Sequence, residues 1–326
     1  MELKLTRVAR ASLVVAALLG SALPAVADDS LRVHFIDVGH GDCIFIQTPD
    51  DGIPNNGRAE GYRVLIDAGE VKYSHNYPLT YLKKLGLKHG DKIDYVIATH
   101  LDADHVDGLP MVYDTFHVLN TIEPGYEHSS GLAKAFRAAA CKESLEGTTF
   151  WRDPVKSGLI SELGDKLDLG SELDVRLLHS CAAHPDSSDT RTNGSSIVLR
   201  LGYHSVSFLF MGDAPKAIES RLLARYADTL KSTVLKVGHH GSKTASGKAF
   251  LRGVSPKYAI VCAGLRYKLP NSRVIALLTD TCGVEVWRTD DHDKEEHKKS
   301  TTAYGDDNIL VTTDGSDPHL QVKWNR

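Results

Sequence analysis

The densest group of potentially reactive side chains lies in residues 99–108, which read THLDADHVDG. Two imidazoles, His100 and His105, and two carboxylates, Asp102 and Asp104, occur within six residues. The segment follows an apolar run, so we predict a loop at the carboxyl end of a strand. Nitrogen and oxygen ligands at this density can hold divalent cations, and alternate members of a tight turn can face two neighbouring ions. The alternative is a solvated acidic loop with incidental histidines.

Three further predicted strands also end in polar side chains. Asp213 closes the apolar run FLFMGD, where an unpaired carboxylate would be costly to bury, and it could bridge two cations. His239 and His240 follow VLKVG in a glycine-flanked turn and predict a metal ligand and a proton donor, although such a pair alone is more often structural. Asp67 follows VLI, and it either orients a ligand histidine or belongs to a simple turn.

These side chains need a scaffold of strands and helices, which the rest of the sequence predicts. Apolar, often β-branched runs bounded by glycine, proline or aspartate predict strands at residues 31–36, 43–47, 62–66, 95–98, 175–178, 197–201, 206–211, 234–237, 258–261, 284–287, 309–313 and 320–322. Helical patterns occupy residues 78–85, 131–141, 215–226, 244–251 and 272–279. Surface loops are predicted at residues 50–60, 182–194 and 290–307. None of these loops is typical of a linker, so we expect one mixed α/β domain.

The composition limits the function classes. The 326 residues carry a formal charge of −4, and 42% are hydrophobic and 25% charged, which is typical of a soluble globular protein. A collagen-like, disordered or multi-span membrane protein is excluded, and nucleic-acid binding through a broad basic face is disfavoured. A local basic rim, or a set of scattered solvated side chains, is predicted by Lys231, Lys236, Lys243, Lys248, Arg252, Lys257, Arg266 and Lys268.

Residues 1–27 have the pattern of a secretory signal peptide. A basic segment precedes an apolar run, and Ala25-Val26-Ala27 is typical of a cleavage site. We expect a mature chain of residues 28–326 with a formal charge of −6, because the removed segment holds three basic residues and one acidic residue. Its location would then be periplasmic or extracellular, with no stable membrane span. The alternative is an uncleaved N-terminal anchor.

An exported chain meets an oxidising compartment, where its five cysteines could form one or two disulfides. The sequence leaves the pairing open among Cys43, Cys141, Cys181, Cys262 and Cys282. None lies in C-x-x-C spacing, so a cysteine-based zinc knuckle is not supported. Cys43 and Cys262 lie in apolar runs, and we predict that both are buried.

Eight motifs together carry a family resemblance. They are IDVGHGDC (36–43), LIDAG (65–69), THLDADHVDG (99–108), NGSSIVLRL (193–201), FLFMGDA (208–214), LKVGHHGS (235–242), SPKYAIVCAG (255–264) and NILVTTDG (308–315). In this order they resemble the metallo-β-lactamase superfamily, and within it the hydrolase domain of ComEC-type competence proteins and their stand-alone relatives. The resemblance implies a four-layer αββα sandwich with a two-metal site at one edge, without an apolar channel domain.

The resemblance also implies a ligand set for two divalent cations. His100 and Asp102 would bind the first cation, and Asp213 would bridge both. The second cation would be bound by Asp104, His105 and His239. Asp102 replaces the second histidine of the more common H-x-H-x-D-H form, and this oxygen-rich ligation suits Mn²⁺ at least as well as Zn²⁺.

The resemblance implies hydrolysis of a phosphodiester, with DNA as the favoured substrate, by a hydroxide that the two metals activate. Asp104 belongs to the implied catalytic set, and we expect His240 to protonate the leaving group. Ser242 and Lys243 either contact a non-bridging oxygen or only shape the turn. Asn193 and Ser195 occupy the segment where many superfamily members have a further ligand histidine.

One departure from the family pattern bears on activity. Leu269-Pro270 stands where relatives commonly have a His-Pro pair, and leucine neither binds a metal nor donates a proton. Two alternatives to a nuclease therefore stay open. One is hydrolysis of another envelope ester, such as a phosphocholine diester held in an aromatic cage of Tyr126, Trp151 or Tyr267. The other is a metal- or ligand-binding module without turnover. The oligomeric state cannot be predicted.

Overall fold

A computed structural model describes residues 29–50, 61–144, 147–180, 193–264, 266–291 and 305–323. Its strands are β1 (Leu31–Phe35), β2 (Ile44–Gln47), β3 (Arg63–Ile66), β4 (Lys92–Ile97), β5 (His117–Glu123), β6 (Thr149–Arg152), β7 (Lys166–Leu167), β8 (Leu173–His179), β9 (Val198–Tyr203), β10 (Val206–Phe210), β11 (Val234–Lys236), β12 (Tyr258–Val261), β13 (Glu285–Arg288), β14 (Asn308–Thr313) and β15 (His319–Lys323). Its α-helices are α1 (Val71–Ser74), α2 (Tyr77–Lys84), α3 (Ala103–Val106), α4 (Leu109–Tyr113), α5 (Gly131–Ser144), α6 (Lys216–Tyr226), α7 (Lys248–Val254) and α8 (Ser272–Ala276).

The strands form two sheets with a similar internal plan. The order is β15-β14-β1-β2-β3-β4-β5-β6 in the first sheet and β13-β12-β11-β10-β9-β8-β7 in the second. In each sheet an antiparallel set continues into four parallel strands, β3 to β6 in the first and β10 to β13 in the second. Parallel neighbours align their carboxyl ends, so the loops after these strands leave their sheet at one edge, where ligands bind in open α/β sheets.

The two sheets pack face to face, and helices cover both outer faces. Successive side chains of a strand point to opposite faces, so Phe35 and Phe210 meet between the sheets while Leu209 packs under the outer helices. Separate apolar clusters fill the space between the sheets, the space beneath α2, α4 and α5, and the space beneath α6, α7 and α8. These layers confirm the expected four-layer αββα sandwich.

Each of the twelve predicted strands is present, with bounds shifted by at most three residues. The sequence did not predict β5, β6 or β7. In β5, Asn120 and Glu123 interrupt the apolar run, but both have partners from elsewhere in the fold. The amide oxygen of Asn120 accepts a hydrogen bond from Trp151 of β6, and the buried Glu123 pairs with Arg137. Partners distant in sequence make this polar strand stable, and the local pattern does not reveal them.

The helix expected at residues 244–251 is displaced along the chain, because α7 begins only at Lys248 and ends at Val254. The backbone N–H groups of Ser246 and Gly247 donate to the carboxylate of Glu219 on α6. This side chain satisfies the amides that precede the helix and holds them in a turn.

Cys43 and Cys262 are buried, as predicted, and the four cysteines among the described residues are free thiols. Cys181, the signal segment 1–27 and most of the three predicted loops lie outside the described residues. In the part of the chain that the structure describes, no helix has the length and apolar character needed to cross a bilayer.

Candidate metal centre

The polar strand ends of both sheets meet at one edge of the sandwich. Thr99 and His100 follow β4, and α3 then starts at Ala103 with Asp102 in extended conformation just before it. This short helix carries Asp104 and His105 in its first turn, next to His100. The paired histidines lie in a 3₁₀ turn after β11, and Asp213 follows β10. Three loops from two sheets therefore deliver these predicted residues to one place.

One group of ligand atoms comprises His100, His105 and Asp213, which are all buried. The carboxylate of Asp213 lies between the rings, with Oδ2 3.9 Å from His100 Nε2 and Oδ1 3.5 Å from His105 Nε2. Asp102 approaches from the solvent side, where its Oδ2 lies 3.6 Å from His100 Nε2. Because both histidines are fully buried, residues 99–108 are not the solvated loop that the sequence left open.

A second group lies beside the first and comprises His40, Asp104 and His240. His240 Nε2 is 3.4 Å from Asp104 Oδ2 and 3.4 Å from Asp213 Oδ2. His40 Nε2 is 3.1 Å from the same oxygen of Asp104. Asp213 therefore stands between the two groups, as a bridging carboxylate would.

Hydrogen bonds on the far side of two rings fix which nitrogen is free to bind a cation. His105 Nδ1 donates to Asp67 Oδ2 at 2.7 Å, and Thr99 also donates to this carboxylate. His240 Nδ1 lies 2.8 Å from the backbone oxygen of Cys262, which can only accept. Each ring therefore keeps its Nε2 lone pair for the centre, which is how metal-binding histidines are usually oriented.

Buried atoms without partners show that these residues fit divalent cations. Among the described residues, no hydrogen bond satisfies Nε2 of His100, His105 or His240, nor Oδ1 of Asp213. Burying such atoms unpaired is costly, and they all face one another. Five carboxylates, those of Asp42, Asp67, Asp102, Asp104 and Asp213, converge here against the one ammonium of Lys236, which leaves an excess of negative charge. Nitrogen and carboxylate ligands with excess negative charge suit Zn²⁺ or Mn²⁺.

The same charges shift the pKa values of the ligands. Burial lowers the pKa of His105 and of His240, but Asp213 and its neighbouring carboxylates raise both above the usual histidine value. Burial raises the pKa of Asp213, and the facing histidines lower it well below its usual value. Protons therefore compete with cations for these nitrogens, and metal binding is weaker at low pH.

Sequence reasoning did not select Asp42, and it placed Lys236 in a basic rim or among solvated lysines. Lys236 is instead buried, and it forms an ion pair with Asp42 beneath the centre. Lys236 Nζ also donates to the backbone oxygen of Gly212 at 3.0 Å and lies 4.0 Å from Asp213 Oδ1. The lysine inside the apolar run VLKVG could have indicated this ion pair, because an ammonium buried in a strand needs an anionic partner. His40 and Asp42 share the segment GHGD, which belongs to one of the family motifs but carried no predicted site residue.

The remaining predicted residues lie around the mouth of the centre or behind it. The His239 side chain is one-quarter exposed, with Nε2 3.8 Å from Asp213 Oδ2 and Nδ1 2.8 Å from Thr244 Oγ1. Asn193 Nδ2 lies 3.2 Å from the same ring. Ser195 is buried behind the turn. The adjacent Ser196, which was not predicted, accepts a hydrogen bond from the backbone N–H of Asp213.

A cavity of about 700 Å³ opens over the centre. Its walls include Asp102, Asp104, Asn193, Asp213, His239, Ser242, Lys243, Tyr267, Lys268, Leu269 and Asn271. His240 is buried below the floor, whereas His239 faces the opening. Leu269 lies in the wall, so its departure from the family pattern affects the cavity directly.

Comparisons with known proteins agree with this geometry. A sequence profile described as the metallo-beta-lactamase superfamily matches residues 37–264. ComE operon protein 3 of Bacillus subtilis (strain 168) is 30% identical over 277 residues, which are 79% of this chain and 32% of that protein. Competence protein ComA of Neisseria gonorrhoeae is 25% identical over 268 residues, which are 82% of this chain and 32% of that protein. The chain thus spans about a third of the length of these relatives.

Solved structures resemble the fold at low sequence identity. CmlA, a diiron β-hydroxylase from Streptomyces venezuelae, is 13% identical, with a TM-score of 0.45 over 79% of this chain and 52% of its own. Zn²⁺-bound PqqB from Methylobacterium extorquens is 10% identical, with a TM-score of 0.43 over 78% of this chain and 97% of its own.

Proposed function

The chain belongs to the metallo-β-lactamase superfamily of hydrolases, and from that membership we propose that it is an exported phosphodiesterase that cleaves DNA with two divalent cations. Export is supported by the signal-peptide pattern of residues 1–27, which would leave a hydrolase domain of residues 28–326. The competence proteins among its relatives support nucleic acid as the substrate class.

The observation that carries the proposal is the pair of adjacent ligand groups with Asp213 between them. His100, Asp102 and Asp213 would hold the first cation. Asp104 of the second group, with His105 and Asp213 of the first, would hold the second cation. Two bound cations supply a water of lowered pKa and positive charge for the phosphate oxygens.

From the sequence, His239 was expected to bind the second cation and His240 to protonate the leaving group. The geometry favours the reverse assignment. His240 Nε2 lies close to both Asp104 and Asp213, whereas His239 approaches only Asp213, at 3.8 Å. We therefore assign the ligand role for the second cation to His240. His239 faces the cavity, and burial lowers its pKa. It would therefore carry the proton that the leaving group needs when an anionic substrate beside it raises that pKa.

The cavity walls suit an anionic, base-bearing substrate. The ammonium groups of Lys243 and Lys268 and the amides of Asn193 and Asn271 are donors for phosphate oxygens. Tyr267 is 64% exposed at the same wall and offers a face for base stacking. Of the basic run predicted from sequence, only Lys243 and Lys268 contribute to this wall, and Lys236 is buried in its ion pair. The Arg266 side chain lies outside the described residues.

A phosphocholine diester is less well supported. Recognition of a quaternary ammonium needs several aromatic faces around one point. Of the three aromatic residues proposed for such a cage, Tyr267 lines the cavity and Tyr126 and Trp151 do not. The described wall instead carries two lysines and two asparagine amides beside the carboxylates of the centre, and with cations bound to those carboxylates it would favour the DNA backbone.

The test is metal-dependent hydrolysis by the purified mature chain, stripped of metal and reloaded with Mn²⁺, Zn²⁺ or Mg²⁺. We expect cleavage of bis(p-nitrophenyl) phosphate and of labelled single- or double-stranded DNA. Asp213→Ala should reduce both rates by at least roughly 100-fold, because it removes the carboxylate between the two ligand groups. Asp228→Ala, which removes an exposed carboxylate, is the matched control and should retain full activity.

Other outcomes would redirect the proposal. Cleavage of the small diester without cleavage of DNA would indicate a different phosphodiester substrate. Bound metal with no hydrolysis of any substrate would contradict the enzyme proposal and would point to Leu269 as the reason for a module without turnover.

A further inference from the structure

We propose that His40 is a protein ligand of the second cation and makes that site selective for nitrogen-preferring ions such as Zn²⁺ or Co²⁺. The inference rests on the proposed two-metal centre and adds a residue that neither the sequence motifs nor the family resemblance assigned. It also predicts an asymmetric centre, in which the first site is oxygen-rich and the second is rich in imidazole.

Distances around the Asp104 carboxylate support this assignment. Its Oδ2 is 3.1 Å from His40 Nε2 and 3.4 Å from His240 Nε2. One ligand atom from each of the three residues lies within 4.8 Å of the other two. Neighbouring ligands bonded to one zinc at 2.0–2.1 Å are roughly 3–3.5 Å apart, so these separations are compatible with a shared cation.

The hydrogen-bond roles also require a positive charge at this point. His240 Nδ1 donates to the Cys262 carbonyl, so His240 Nε2 presents a lone pair to the oxygens of Asp104 and Asp213. Lone pairs that face one another repel unless a proton or a metal cation lies between them, and a bound metal would take the place of that proton. His40 meets the same Asp104 oxygen, with its ring 4.6 Å from that of His240, and therefore borders the position where the cation is needed.

The backbone holds His40 rigidly in this position. Its side chain is 3% exposed, in the turn between β1 and β2. The N–H of Asp42 donates to the Asp104 carbonyl at 3.2 Å and ties the turn to α3. A Cβ added at Gly264 would lie 2.5 Å from the backbone nitrogen of His40, so the chain after β12 packs directly on the turn. These contacts fix the backbone of His40, while its ring Nδ1 has no hydrogen-bond partner among the described residues. The buried and tightly packed turn distinguishes His40 from a mobile surface histidine.

The test compares metal binding by the full mature chain with that of His40→Gln. Glutamine keeps an N–H donor for Asp104 but is a poor ligand for zinc. His89→Gln, which replaces an exposed histidine, is the matched control. Zinc stoichiometry and affinity would be measured by competition with a chelating dye, and the Co²⁺-loaded proteins by visible absorption. Circular dichroism would verify that each variant is folded.

We expect the wild type and His89→Gln to bind two equivalents of Zn²⁺. His40→Gln should bind one of them at least about 10-fold more weakly and show an altered Co²⁺ ligand-field spectrum. A purely hydrogen-bonding role for His40 would leave that spectrum unchanged. Unchanged affinity and an unchanged spectrum would overturn the proposal.

A measurement on the wild type keeps the inference falsifiable if His40→Gln does not fold. An anomalous difference map from Zn²⁺-loaded crystals should place a peak within bonding distance of His40 Nε2. A peak at the second site out of reach of His40 would overturn the inference and leave the two-metal proposal intact. A wild type that binds no metal would overturn both. Metal bound through His40 without hydrolysis would contradict only the proposed function.

Discussion

At the residue scale, the centre depends on buried charges that compensate one another. Asp42 and Lys236 are almost completely buried, and their ion pair lies directly beneath the ligand groups. Lys236 also donates to the Gly212 carbonyl next to Asp213. The pair thus supports the Asp213 carboxylate and removes part of the negative charge of the centre.

Replacing Asp42 by asparagine should therefore lower the free energy of unfolding. We expect a loss of about 3–5 kcal/mol in urea titrations at neutral pH, because the Lys236 ammonium keeps its burial but loses its counter-charge. The double variant Asp42→Asn/Lys236→Met should recover much of this loss, since it leaves no buried charge unpaired. Equal stabilities of the single variant and the wild type would show that the pair contributes nothing.

The pH dependence of this contribution follows from the pKa of Asp42. Burial raises that pKa, but the Lys236 ammonium lowers it by more. The resulting pKa is about 2, below the ordinary 3.8. A folded-state pKa below the unfolded value means that the pair stabilises the protein above pH 3.8. The contribution is lost as the pH falls through about 2. The difference in stability between wild type and Asp42→Asn should therefore shrink in that acidic range.

At the element scale, the site exists because a turn and a short helix approach each other closely. Gly41 has φ of +136°, and a Cβ there would lie 2.3 Å from the backbone oxygen of Asp104 in α3. Only glycine allows this contact, which sets His40 and Asp42 against the ligands of residues 99–108. The absence of a Cβ at Gly41 therefore sets the distance between the turn after β1 and helix α3.

The substitution Gly41→Ala tests this contact, with Gly86→Ala as its control. Gly86 also has a positive φ, of +98°, but nothing lies within 4 Å of an added Cβ. Gly86→Ala should cost about 1–2 kcal/mol of unfolding free energy through backbone strain alone. Gly41→Ala should cost about 1–3 kcal/mol more because of overpacking, and it should weaken Zn²⁺ binding. Equal costs for the two variants in urea titrations would contradict the close-approach argument.

At the scale of the whole molecule, the cavity is built where the two halves of the sandwich meet. Loops of the first sheet contribute Asp102 and Asp104, and loops of the second contribute Asp213 and His239. Tyr267 stands exposed at the rim, with its ring 5.2 Å from that of His40. A substrate bound to the centre through its phosphate would therefore have an aromatic face within reach of an adjoining base.

Removing the aromatic ring of Tyr267 should weaken the binding of single-stranded DNA. We expect Tyr267→Ala to raise KM for a labelled oligonucleotide roughly 5- to 150-fold, which is the usual contribution of one stacked base. Tyr267→Phe keeps the ring and should behave like the wild type. On an oligonucleotide with abasic residues the Ala variant and the wild type should be equal, and a persisting difference would argue against stacking.

The sequence alone predicted the strand ends, the αββα sandwich and the clustering of His100, His105 and Asp213. The strand ends and the clustering are local features, since apolar runs predict strands and polar residues directly after them must lie at a sheet edge. The sandwich was implied by the resemblance of the eight motifs to a known family. Only the tertiary structure showed which histidine of the pair after β11 turns inward. It also brought Lys236 to Asp42 and placed His40 beside Asp104. Contacts between residues far apart in sequence fix these choices, because the two sheets must first pack before a buried nitrogen or ammonium has a partner.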